Sequence, residues 1–204
     1  MPDRAVKSIS RHHSRKALLE PATDTDHALM QRIAQQDAGA YRMLVARHLN
    51  FCVRFGERML GSRADAEDVA QEVCLRIWND AAKWKPEAKF TTWLYRVMTN
   101  ACIDHKRKRR LLPLGDNDTT PDTGPGPEIS LQQQQRSRQV QAALGRLPPR
   151  QRAAVVLSYY EELSNEQAAA ATGMTLNAFQ QLLYRARQSL KEELIERESK
   201  DGQA

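Results

Sequence analysis

Tyr95, Arg96, Asn100, Lys106 and Arg107 fall within one stretch, KFTTWLYRVMTNACIDHKRKRR, at residues 89–110. A phenol, a guanidinium, a carboxamide and then unbroken cations from Lys106 to Arg110 are groups suited to gripping a nucleic acid. Cations neutralise phosphates without regard to sequence. A ring offers a base a stacking surface worth about 1–3 kcal/mol, but only once that base has left its duplex. An amide can then pair with the exposed base edge. Because a duplex stacking step averages about 1.4 kcal/mol, a few captured bases offset the opening of a few pairs. The stretch reads as a holder of single-stranded DNA beside its parent duplex.

Such groups need a rigid carrier. Phe90, Trp93, Leu94, Val97, Met98 and Ala101 recur at the i, i+3, i+4, i+7 spacing of a buried helix face. Thr92, Tyr95, Arg96, Thr99, Asn100 and Ile103 share the other face. By spacing, Trp93 belongs to the core stripe, so packing competes with base stacking for its ring.

Upstream, SRADAEDVAQEVCLRIWND gives a helix with Val69, Val73, Ile77, Ala66, Ala70 and Trp78 inward and Asp65, Glu67, Asp68, Gln71 and Glu72 outward. Acids in a first turn favourably meet the helix macrodipole. On a rigid helix they also make a docking surface for a basic partner. Downstream, LSNEQAAAATGMTLNAFQQLLYRARQSL reads as a helix-turn-helix. Ser164 with Gln167 forms a capping box, Gly173 supplies the turn and Thr175 caps the second helix. Leu176, Phe179, Leu183 and Leu190 are expected inward. Gln180, Gln181, Tyr184 and Arg185 then face a major groove, with Arg187 near the backbone.

The 204 residues carry 31 Lys+Arg against 25 Asp+Glu, a net charge of +6, which suits a nucleic-acid partner. The three cysteines (Cys52, Cys74 and Cys102) are odd in number and widely spaced, which indicates neither a disulfide framework nor a zinc site. Helical placement makes them small core hydrophobes. No cofactor, metal site or enzymatic centre is expected, since no histidine or Gly-rich phosphate loop accompanies the acids. No apolar run approaches the roughly 20 residues of a membrane span, so a cytoplasmic protein without direct membrane insertion is expected.

The pattern predicts an all-α protein, two small helical domains joined by a flexible linker, with the helix-turn-helix in the second. Residues 1–25 form a basic arm, 26–110 the first domain, 111–130 a Pro/Gly-rich tether, 131–196 the second domain and 197–204 a tail. Helices are expected over 26–36, 38–60, 64–80, 90–108, 131–144, 149–161, 164–171 and 175–196. Asp37 and Ser62 are the expected N-caps, and Gly56 and Gly61 are expected to weaken or end the second helix.

DAEDVAQEVCLRIW, KFTTWLYRVMTNACIDHKRKRR and LGRLPPRQRAAVVLSYYEELSNEQAAAATGM occur in this order. In that, the chain resembles the extracytoplasmic-function sigma factors, the two-domain specificity subunits of bacterial RNA polymerase. The resemblance covers roughly residues 26–110 and 131–195. It implies sigma region 2 followed by sigma region 4, and core RNA polymerase, promoter DNA and an anti-sigma factor as partners. It implies that Asp65, Asp68, Gln71 and Glu72 dock on the polymerase clamp. It implies that residues 89–110 melt and read the minus-ten element, with Asn100 near a flipped base, and that the last helix pair reads the minus-thirty-five element.

The chain departs from the family pattern in two places. The arm, with Arg11, His12, His13, Arg15 and Lys16, precedes the usual start. Gln180, Gln181 and Leu182 stand where relatives commonly carry cations around a serine. A tether of about 20 flexible residues spans roughly 25 Å, whereas sites two helical turns apart lie about 70 Å from each other. A rigid partner must therefore set the spacing of the two readers. Two rival readings are open to test. A stand-alone helix-turn-helix regulator would bind an operator tightly without polymerase, and a metal-dependent nucleic-acid enzyme using Asp65, Asp68 and Glu72 would lose turnover to a chelator.

Overall fold

A computed structural model describes residues 25–85, 89–111 and 131–201, with side chains in the last segment from 139 to 193. Among these residues all regular structure is helical. Four helices make the first unit: α1 (Asp26–Ala34), α2 (Ala38–Leu60), α3 (Arg63–Asp80) and α4 (Phe90–Leu111). The second contains α5 (Leu131–Arg146), α6 (Pro149–Val155), a π turn (Val156–Tyr160), α7 (Asn165–Thr172) and α8 (Leu176–Asp201).

Local chemistry sets the helix ends. Asp37 accepts from the Gly39 and Ala40 amides at 2.7 and 3.0 Å, starting α2. The Ala40 amide and then Arg32 hold its carboxyl below the usual carboxylate range. Ser62 accepts from the Asp65 amide at 3.2 Å and starts α3. Gly61 (φ 79°) closes α2 in the left-handed region. Gly56, however, does not end that helix, which runs on to Leu60. A Cβ there would stand 2.9 Å from the Ala66 Cβ, so the glycine is what lets α2 and α3 cross this closely. Spacing alone could not separate a helix breaker from a crossing point.

Leu29, Ile33, Leu44, Phe55, Met59, Val69, Val73, Ile77, Leu94 and Met98 are buried in the first unit. Cys52, Cys74 and Cys102 are free and buried, and burial pushes the Cys52 and Cys102 thiols up to about 12. At neutral pH all three pack as apolar groups, as expected.

In the second unit both halves of the capping box form. Ser164 accepts from the Gln167 amide at 3.2 Å, and Gln167 accepts from the Ser164 amide at 2.9 Å. Gly173 (φ 68°) turns the chain and Thr175 accepts from the Ala178 amide. Phe179 and Leu183 are buried, but Leu176 is 38% exposed. At the first position of α8 its side chain stays partly in solvent, which corrects its expected inward orientation.

Two helix boundaries also differ from expectation. The helix expected over 149–161 loosens into the π turn, and Glu162 follows at positive φ. The last helix continues to Asp201, through most of the expected tail. The arm and the tether (1–24 and 112–130) lie outside the described residues.

The two units are packed together. One apolar cluster runs from Leu29 and Phe55 through Leu94 and Met98 to Val156, Ala168 and Phe179. Leu144, Leu147, Val155 and Ala186 form a smaller cluster within the second unit.

Candidate nucleic-acid and protein interfaces

The polar side of α4 divides into two stripes. Arg96, Asn100 and Arg107 are exposed. Tyr95, Thr99, Cys102 and Lys106 lie on the adjoining stripe, where Thr99 and Cys102 are buried and Tyr95 and Lys106 half-buried. Tyr95 packs edge-on against Phe51, with ring centroids 5.0 Å apart, and its hydroxyl donates to Glu161 Oε2 at 3.3 Å. Burial first, and Glu161 second, push its phenol up to about 12. Trp93 is half-buried against Phe90, 5.6 Å between ring centroids. Part of that ring is therefore committed to packing against the core.

The basic run at the end of α4 is partly engaged. Arg109 and His105 both reach the Asp65 carboxylate of α3, His105 Nε2 at 3.3 Å. Arg107 pairs with Asp104 at 3.2 Å while its side chain remains 71% exposed. Lys106 is pushed down to about 8 by burial and by neighbouring Arg152. Exposed positive charge is concentrated on Arg107, Lys108 and Arg110.

Of the four acidic-ridge residues on α3, Asp65 is turned toward α4 as described. Glu72 bonds Arg76 on its own helix at 2.6 Å. Asp68 and Gln71 stand exposed, and Leu75 continues their face at 62% exposure. An exposed leucine beside acids marks a protein contact better than the acids alone, because apolar area drives association while charge orients it. Sequence reading missed Leu75, although its position outside the Val69–Val73–Ile77 stripe was the available signal.

On α8, Gln180, Gln181, Tyr184 and Arg185 are all exposed. Gln180, Tyr184 and Arg187 share one face at i, i+4, i+7 spacing. Arg187 lies over the Tyr159 ring, 5.5 Å from its centroid, and Tyr159 is 55% exposed. This extends the open face beyond what the helix-turn-helix segment itself suggested. Leu182, by contrast, packs against the apolar core. Among the described residues no three His, Cys, Asp or Glu side chains gather as metal ligands would, and no helix is long and apolar enough to cross a membrane.

Comparison with known proteins matches the description Sigma-70 region 2 to residues 44–111 and Sigma-70, region 4 to residues 137–190. The ECF RNA polymerase sigma factor SigE of Mycolicibacterium smegmatis is 34% identical over 165 residues, 79% of this chain. The chain spans 64% of that protein's length. The ECF RNA polymerase sigma factor SigF of Caulobacter vibrioides is 33% identical over 180 residues, covering 84% of this chain and 97% of SigF. Among solved structures, CnrH in complex with the cytosolic domain of CnrY superposes with a TM-score of 0.60 at 25% identity, covering 84% of this chain and 97% of CnrH.

Proposed function

The chain belongs to the extracytoplasmic-function sigma factors of RNA polymerase, and on that premise we propose how its residues divide promoter recognition and opening. Residues 26–110 dock on core polymerase and hold the minus-ten element. Residues 131–196 read the minus-thirty-five element. On α3, Asp68, Gln71 and Glu72 face the polymerase clamp with Leu75 at the centre of the contact, while Asp65 fixes α3 to the basic end of α4. Asn100 takes the edge of an extruded base, Tyr95 and Arg96 flank it, and Lys106 and Arg107 hold adjacent phosphates. Gln180, Gln181, Tyr184 and Arg185 enter the upstream major groove.

One observation carries this reading. A single four-helix unit presents an acidic-apolar ridge on α3 and a cation-bearing polar face on α4, while Gln180, Gln181, Tyr184 and Arg185 of α8 all stand exposed. Polymerase sets the distance between the two readers. The solved relative CnrH is in complex with the cytosolic domain of CnrY, which supports a protein partner, an anti-sigma factor, for this chain as well.

The test is binding to purified core polymerase. Asp68→Lys with Glu72→Lys should weaken it at least tenfold, about 1.4 kcal/mol. Thermal stability should change little, since exposed substitutions usually stay within about 0.5 kcal/mol. Unchanged core affinity would remove the ridge from the docking surface. A promoter duplex bound tightly by the chain alone would favour the stand-alone regulator, a reading that matches to both sigma-70 regions do not favour.

A further inference from the structure

Among the described residues, Arg152 of α6 is the charged side chain that is fully buried, at 1% exposure. Its Nε has no hydrogen-bond partner. A guanidinium is a fork of five N–H donors, and a buried ion left unpaired is far costlier than a buried amide. Burial pushes Arg152 down only to about 10, so it stays charged at neutral pH. The acids of this region are engaged elsewhere. Glu161 accepts from Arg58 Nη1 at 2.9 Å and from the Tyr95 hydroxyl at 3.3 Å. Asp65 is taken by His105 and Arg109. The groups that act on Arg152 are the Cys102 thiol and then the Tyr160 phenol, neither of them a carboxylate.

Two further elements bring positive charge to the same place. Lys106 of α4 is half-buried, and burial and then Arg152 push it down to about 8. Arg152 Nη2 also lies 3.7 Å from where a Cβ on Gly61 would stand. Gly61 leads directly into Ser62, the N-cap of α3. The first amides of a helix have no carbonyl partner within it, and an anion is favoured there. Ser62 Oγ takes the amide of Asp65, which leaves those of Arg63 and Ala64 as donors.

We propose that Arg152, Lys106 and the turn from α2 to α3 form a binding site for one small tetrahedral oxyanion, inorganic phosphate or sulfate. The planar fork of Arg152 suits two oxygens of such an ion in parallel. Lys106 adds a point charge from the side that meets solvent. A doubly charged oxyanion offsets both cations, whereas chloride offsets one and cannot take two parallel bonds. The burial of Arg152 leaves no room at the guanidinium for the sugar and base that a nucleotide brings. An ion touching α3, α4 and α6 together binds only the folded chain, so it stabilises the fold by mass action.

The experiment titrates the full chain with sodium phosphate against sodium chloride at constant ionic strength, read by isothermal titration calorimetry and by thermal melting. One saturable site is expected, and saturating phosphate should raise the Tm by about 2–4 °C over chloride. Phosphate also stabilises proteins by exclusion from their surface, but that effect does not saturate. Arg152→Met should abolish the calorimetric signal. Lys106→Met should weaken binding about tenfold, as the loss of a charged hydrogen bond does. Lys106 is half-buried, so that variant decides the matter should Arg152→Met fail to fold. A Tm that climbs without saturating, equally in wild type and Lys106→Met, would mean an adventitious ion only and would overturn the site. Tighter binding of ATP than of inorganic phosphate would overturn the restriction to a small ion.

Discussion

Asn100 and Lys106 differ by less than two helical turns on α4, yet their surroundings assign them opposite tests. Asn100 is exposed, so Asn100→Ala removes an amide without disturbing the core. Closed promoter complexes of the holoenzyme should stay nearly intact while permanganate-reactive thymines in the opened region diminish. An equal fall in both would make Asn100 a general contact instead of a base reader. Lys106 faces Arg152 from α6 and Cys102 from its own helix, and it is pushed down to about 8. The folded chain therefore disfavours its charge. That penalty is fully present below about pH 8. Between there and the ordinary lysine value the unfolded chain binds more protons, so stability rises with pH. Lys106→Met should raise the Tm at pH 7 by about 2–4 °C, with the gain shrinking at pH 9.5. Calorimetry at the two pH values checks this, and a lower Tm at pH 7 would mean the ammonium finds compensation in the fold.

Between helices, Gly56 of α2 lies directly against Ala66 of α3. Gly56→Ala places a methyl 2.9 Å from the Ala66 Cβ, and overpacking of this kind costs about 1–3 kcal/mol. Urea unfolding should register that loss, and Ala66→Gly in the same chain should recover part of it. A fully additive double mutant would show that the two positions do not share one contact. On α8 the register is settled for Leu182, which faces the core. An arginine belongs at position 180 and not at 182. Gln180→Arg should add one phosphate contact and steepen the log–log salt dependence of duplex binding by about 0.9. Fluorescence anisotropy at several salt concentrations measures the slope, and no change would place residue 180 away from the DNA.

At the scale of the whole molecule, sequence by itself determined a great deal. Periodic apolar residues set the helices to within a few residues, because a 3.6-residue stripe has few other ways to bury itself. Ser62, Asp37, Ser164 and Thr175 marked helix starts, since a cap is a contact between near neighbours in sequence. Three ordered motifs carried the family resemblance, and the exposure of Asn100, Gln180 and Tyr184 was legible because polar side chains off an apolar stripe face solvent. Tertiary structure alone decided what depends on distant partners. It turned Tyr95 and Asp65 inward through Glu161 and through His105 with Arg109, and it made Gly56 a crossing point. It also brought Arg152 beside Lys106 and set the second unit on the first, where the sequence suggested only a tether. These contacts link residues tens of positions apart, such as Arg58 and Glu161, and no local spacing encodes them: they exist because continuous apolar surface from two units is buried in one core.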